Sequence, residues 1–206
     1  NYWLHNGFLN LGEDKMSKSL GNVELVHNLV TRWPGEALRW ALLASHYRQP
    51  LAWTEQTPLN AKSALDRLYG ALLRAADVEA ETTPPGAAFM AALEDDLNTP
   101  RAYAELFAVA QRLETAPPAE RRRLKGELLA AGQLLGFLKA DPEAWFQGAV
   151  DQAFKARIEG MIDARARARA ARDWATADRI RDEIAALGVE VLDGPDGATW
   201  RIKEPT

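Results

Sequence analysis

"WATADRIRDEIAALGVEVLDGPDGATWRIK", Trp174 to Lys203, changes its period in the middle. Ala177, Ile180, Ile184 and Leu187 recur at spacings of three and four, which puts them on one stripe of a helix. Gly188 follows, a residue suited to the left-handed position that ends a helix. Beyond it Val189 and Val191, then Ala198, Trp200 and Ile202, alternate on either side of Gly-Pro-Asp-Gly. Period two around a glycine turn is the pattern of a β-hairpin. The stretch therefore predicts a helix from Trp174 to Leu187 running into a hairpin.

The same helix has a second face. Trp174, Asp178 and Arg181 recur at i, i+4 and i+7, which sets an aromatic ring beside an acceptor and a forked donor. Upstream, a helix from about Val150 to Ala171 places Arg165 and Arg169 on one face, continued by Arg172. From Arg157 to Arg172 five arginines meet only two acids, Glu159 and Asp163. A ring that stacks and polar groups that read base edges are what recognition of an unpaired nucleotide requires. A solvated surface with intrahelical ion pairs is the simpler account of the spacing alone.

From Asn22 to about Leu138 the chain reads mainly as helix. A short helix capped by Asn22 carries Val23, Val26, Leu29 and Val30, and Pro34 opens the next, on Leu38, Ala41 and Leu42. Thr54 or Thr57 starts a longer one through Leu65, Leu68, Leu72 and Leu73. Val78–Gly86 is a loop by composition, "AAFMAALEDDL" a short helix, and Thr99 before Pro100 a cap for a helix through Phe107 and Leu113. A last helix follows Pro117-Pro118 and runs to about Leu138. The fold class expected is mainly α: a helical bundle followed by a small α/β domain of two helices and a β-hairpin. "ADPEAWFQG" separates them, so the expected division is 1–52, 53–140 and 148–206.

Composition narrows the chemistry. With 206 residues and 47% hydrophobic content there is material for a buried core. No cysteine is present, which excludes a disulfide framework or a thiolate metal site within these residues. His5, His27 and His46 have no metal-ligand spacing, so no metal site is expected here. The net charge of −4 argues against a uniformly basic nucleic-acid binder while allowing a local basic face. No apolar run approaches the roughly 20 residues of a membrane-spanning helix, and no signal-peptide pattern opens the chain. A cytoplasmic, non-membrane protein is expected. The chain starts without Met, as a piece of something longer would.

Near the start lies "EDKMSKSLGN", Glu13–Asn22. Lys15 and Lys18 stand three apart, with hydroxyls at Ser17 and Ser19. The run has no Gly-x-x-x-x-Gly-Lys frame, so it is not a P-loop. It fits a solvated turn, or a loop whose mobile ammonium groups hold polyphosphate.

"KMSKS" is also the second signature motif of the class I aminoacyl-tRNA synthetases. The wider run "NYWLHNGFLNLGEDKMSKSLGN" resembles the end of the catalytic domain of the cysteinyl-tRNA synthetase family. "GEALRWALLASHYRQPLAWTE" resembles the start of that family's helical anticodon-binding domain, named for an Asp-Ala-Leu-Arg signature, with Glu36 in place of its acid. "EDDLNTPRAY" resembles a segment of the bundle, and "ARDWATADRIRDEIAALGVEVLDGPDGATWR" the small C-terminal domain. The resemblance spans nearly the whole chain, in order, beginning just before the KMSKS loop at the end of a nucleotide-binding catalytic domain.

The resemblance implies a cysteine–tRNA ligase that activates cysteine with ATP, as its magnesium complex, and transfers it to tRNA(Cys), working as a monomer. It implies that Lys15, Met16, Ser17, Lys18 and Ser19 contact ATP, with Lys15 and Lys18 acting on its phosphates. It implies that Arg169, Trp174, Asp178, Arg181 and Asp193 read the anticodon. Arg165 and Arg172 are expected to contact tRNA phosphate. The family's first signature motif is absent, since "HNGF" at His5–Phe8 does not match it. So are the ligands of its substrate-selecting zinc, expected only in the upstream catalytic domain. The chain alone is therefore expected not to make adenylate. Two other readings stand beside this one: a free-standing, non-enzymatic tRNA-binding module, and an ATP-dependent ligase joining cysteine to a small thiol precursor. The ligase would have no anticodon to read.

Overall fold

The computed structural model describes residues 1–11, 14–15, 24–147, 152–194 and 197–203. The chain divides into two compact units, Asn1–Lys139 and Ala140–Thr206. Nine helices and five strands lie among the described residues.

The first unit opens with a feature that the helical periodicity does not announce. β1 (Leu9–Leu11) pairs antiparallel with β2 (Asp14–Lys15) and parallel with β3 (Leu51–Trp53), so β1 is the central strand. Three strands this short carry no countable alternation, which is why the sequence pattern missed them. Gly7 lets the chain enter β1: its N–H donates to the Tyr47 carbonyl at 2.6 Å, and a Cβ there would collide with the Gln49 carbonyl.

Between the strands lie α1 (Val26–Leu29) and α2 (Gly35–Leu43). The Asn22 cap and Val23 expected for α1 lie outside the described residues. The bundle continues with α3 (Gln56–Arg74), α4 (Ala87–Glu94), α5 (Thr99–Thr115) and α6 (Pro118–Leu135). α3 packs on α2 and α5, and α5 also packs on α4 and α6. Of the apolar residues read from periodicity, Leu29, Leu38, Ala41, Leu65, Leu68, Leu72, Leu113, Leu124 and Leu128 are buried, Leu73 and Leu135 are half-buried, and Val26, Val30 and Leu42 are exposed, because a helix stripe says which residues share a face and not how far a neighbour covers it. Trp40 is the aromatic centre, stacked on Tyr103 with centroids 3.8 Å apart and tilted against Phe137 at 5.0 Å.

Glu36, the departure from the family signature, has a structural task. Its carboxylate accepts from Tyr69 Oη at 2.8 Å, from the Leu138 N–H at 3.1 Å and from the Lys139 N–H at 3.2 Å. It ties α2 to α3 and to the chain leaving α6. That chain turns sharply: Gly136 ends α6 with φ +86°, and Leu138, which was expected inside the helix, sits beyond it with φ +56°. Hydrogen bonds to a charged acceptor contribute more than neutral ones, so Glu36→Ala should cost about 2–3 kcal/mol in urea unfolding. A loss below about 0.5 kcal/mol would show that water replaces the carboxylate freely.

The turn between α4 and α5 also departs from expectation. The helix stops at Glu94 and "DDL" does not continue it: Asp96 and Leu97 both take φ +53°, a conformation costly for residues other than glycine. Asp96 is held by Arg48 Nε at 2.7 Å and Tyr47 Oη at 2.7 Å. The Arg48 hydrogen bond, then that of Tyr47, lowers its pKa to about 2. Asn98, not Thr99, caps α5, accepting from the Arg101 N–H at 3.2 Å.

The second unit contains α7 (Pro142–Gln147), α8 (Gln152–Ala170), α9 (Trp174–Ala186), β4 (Val189–Gly194) and β5 (Gly197–Ile202). Part of the stretch read as a separator is helical: α7 packs on β5. The hairpin pairs Val189 with Ile202 and Val191 with Trp200. Ile158, Ile162, Ile180, Ile184, Val189 and Trp200 form its core, with Phe154 and Met161 against it.

Candidate nucleic-acid interface

The corner between α8 and α9 organises the site. α8 ends with the Asp173 N–H donating to the Ala168 carbonyl at 2.9 Å and the Arg172 N–H to that of Arg169 at 3.0 Å. This is a Schellman closure, whose left-handed position is usually glycine. Here it is Arg172, with φ +61°, at a cost of about 1–2 kcal/mol. Asp173 then caps α9, accepting from the Thr176 N–H at 3.1 Å. Trp174 is the first residue of α9 and is 59% exposed, while Trp200 is buried in the core.

The first cluster joins α8 to the hairpin. Arg165 Nη1 donates to Asp193 Oδ1 at 2.7 Å and its Nη2 to Oδ2 at 2.9 Å, a fork-to-fork pair. Arg169 Nη1 lies 3.1 Å from the same Oδ2. The two arginines differ in environment: the side chain of Arg165 is 12% exposed and that of Arg169 47%. The Arg165 hydrogen bond is the main reason the Asp193 carboxyl titrates below the ordinary carboxylate range. The same bond raises the Arg165 pKa, and the charge of Asp178 adds to it. Arg165, expected as a phosphate contact, is thus engaged with Asp193 in the free protein. Residues 28 positions apart give no periodic signal of such a pair.

The second cluster lies along α9. Trp174, Asp178 and Arg181 are all exposed, and Arg181 Nη1 lies 3.4 Å from Asp178 Oδ1. Arg181 also reaches Asp182 at 3.3 Å, a partner that periodicity did not single out. An exposed ring and exchangeable ion pairs can stack a base and offer donors and acceptors to its edges without unfolding anything.

The KMSKS segment is only partly described. Lys15 pairs by backbone with Asn10 at the end of β2, and Met16, Ser17, Lys18 and Ser19 lie outside the described residues. Among the described residues no three or more His, Cys, Asp or Glu side chains converge as a metal site. No helix there is long and apolar enough to cross a membrane.

Comparison with known proteins gives this arrangement a family. Residues 1–63 match the class I (C) tRNA synthetase catalytic domain, residues 88–139 the DALR domain, and residues 151–201 the cysteinyl-tRNA ligase anticodon binding domain. In a solved ternary complex, Agrobacterium radiobacter K84 LeuRS with tRNA and LeuAMS, a chain shares the fold of 68% of this one. That likeness has a TM-score of 0.52 and 24% identity and covers 22% of the LeuRS chain. The chain belongs to the class I aminoacyl-tRNA synthetases.

Within that class it is a cysteinyl-tRNA synthetase sequence. The cysteine–tRNA ligase of Caulobacter sp. (strain K31) is 55% identical over 208 residues, covering 99% of this chain and 45% of that protein. That of Phenylobacterium zucineum is 54% identical, covering 98% of the chain and 44% of the relative. The chain therefore spans a little under half the length of these relatives.

Proposed function

We propose that this chain is the KMSKS-loop and tRNA-binding part of a cytoplasmic cysteine–tRNA ligase. The whole enzyme forms cysteinyl-adenylate from cysteine and ATP and passes the cysteinyl group to tRNA(Cys). The second unit reads the GCA anticodon. Trp174 stacks on a base, while Arg169, Asp178, Arg181 and Asp193 supply donors and acceptors for base edges and Arg172 meets phosphate. The KMSKS loop, carrying Lys15, Met16, Ser17, Lys18 and Ser19, lies along the ATP phosphates. Its lysines oppose charge that builds on the leaving pyrophosphate.

One observation carries the tRNA reading: an exposed Trp174 on the same helix as the exposed Asp178–Arg181 pair, in a unit whose core is complete without it. Both RNA-facing chemistries, stacking and edge recognition, are then present on a rigid element. The test is a titration of the chain with a fluorescent anticodon stem-loop bearing GCA, against stem-loops with one anticodon base changed. Each change should weaken binding about tenfold. Equal affinity for all of them would refute anticodon reading.

A further inference from the structure

We propose that Arg165 is a positioning residue for anticodon recognition: its two-point contact holds the Asp193 carboxylate in one fixed orientation, so that Asp193 can accept from a base. The proposal rests on the anticodon reading above and assigns to Arg165 a task other than direct contact with RNA.

The geometry separates the two arginines. A guanidinium has a rigid fork of donors, and Arg165 spends both of its terminal nitrogens on the two Asp193 oxygens, at 2.7 and 2.9 Å. With its side chain only 12% exposed, it presents little surface to a phosphate. A carboxylate offers about four lone-pair sites. Arg165 takes one on each oxygen, and Arg169 approaches Oδ2 from a more open side, at 3.1 Å and 47% exposed. One site on Oδ1 is left for an incoming donor. A base could also draw Arg169 away to its own edge while Arg165 keeps the carboxylate in place. Asp193 is the last residue but one of β4 and is itself 48% exposed on its side chain. Without the fork, nothing else among its described ion-pair partners fixes both oxygens. The donor that fits is a ring N–H or exocyclic amino group on a Watson–Crick edge, for which a carboxylate is an acceptor.

A phosphate contact and a positioning residue differ in what they change. The first acts on every RNA alike and adds to the salt dependence, whereas the second alters the choice among bases. The experiment uses the full-length enzyme and four tRNA transcripts, one with GCA and three each changed at one anticodon position. Asp193→Asn should flatten discrimination at one position by about five- to tenfold. Arg165→Lys, which keeps the charge and loses the fork, should flatten the same position by a similar factor. The double variant should lose no more than either single one. The other two positions and the salt slope should stay as in the wild type. Arg165→Gln serves as a second variant, and unfolding midpoints are measured for all.

If Arg165→Lys weakens all four transcripts equally and lowers the salt slope by about 0.7, Arg165 touches phosphate and the proposal fails. Additive losses in the double variant would also overturn it. So would unfolding severe enough in both Arg165 variants to abolish binding, which would assign Arg165 to folding alone. If Asp193→Asn changes no discrimination, it is the anticodon reading beneath the proposal that falls. If Asp193→Asn flattens one position and Arg165→Lys flattens none, the reading stands and only the role of Arg165 is lost.

Discussion

In the full-length enzyme, Lys18→Ala is expected to slow cysteine-dependent ATP–pyrophosphate exchange about a hundred- to a thousandfold, with KM for cysteine changed far less. In the proposed reaction the cysteine carboxylate attacks the α-phosphate, and negative charge grows on the leaving phosphates. A cation aimed there gains more in the transition state than in the ground state, so its loss falls on the rate. An ammonium on a flexible stem suits a group that moves during the reaction. Lys15, the last described residue before Lys18, ends a strand paired to β1, and β1 is paired in turn to β3. Lys15→Ala should give a smaller effect in the same direction. An exchange rate unchanged in Lys18→Ala would show that the KMSKS segment is structural.

Trp174→Ala is expected to lower affinity for tRNA(Cys) about five- to hundredfold, the range for losing one base–aromatic stack. Its unfolding midpoint should hardly move, because the change in stability should stay within about 0.5 kcal/mol. The two results belong together. Trp174 is 59% exposed and lies outside the core of Ile158, Ile162, Ile180, Ile184, Val189 and Trp200. A buried tryptophan would cost about 3–5 kcal/mol on truncation, which is the expectation for Trp200→Ala, a useful control. The check is denaturant unfolding and tRNA titration on the same preparations. A Trp174→Ala protein that unfolds far more easily yet binds normally when folded would remove this ring from the interface.

Arginines at the corner answer to different physics. Arg172 occupies a left-handed position that glycine fills at lower cost. Strained backbone persists where the surroundings over-determine it, and it concentrates at functional sites. The adjacent Asp173 cap and Trp174 at the first turn of α9 are fixed by this same closure. The corner thus sets where the exposed ring of Trp174 begins relative to the arginine face of α8.

What could be read directly was local. The change of period around Gly188 located the helix and hairpin of the second unit within a residue or so. The leucine spacings found the helices of the bundle and its core, because side chains three and four apart share a face whatever they pack against. The face of Trp174, Asp178 and Arg181 was legible for the same reason, and it lies exposed as one face of α9.

What required the tertiary structure was long-range or irregular. The β1–β2–β3 sheet joins strands about forty residues apart and too short to show alternation. The left-handed turn at Asp96 and Leu97 exists because Tyr47 and Arg48 hold the Asp96 carboxylate, nearly fifty residues earlier in the chain. Glu36 reads as a substituted signature residue until the fold brings Tyr69, Leu138 and Lys139 to it. Arg165 shows the division most clearly. Helical spacing placed it beside Arg169 on one basic face, and that is as far as local periodicity reaches. Only the hairpin folding back on α8 delivers Asp193 to its fork and leaves Arg169 on the open side. Periodicity specifies which residues share a face. Which of them is spent inside the protein, and which is left for a partner, depends on what the chain's other elements bring against that face.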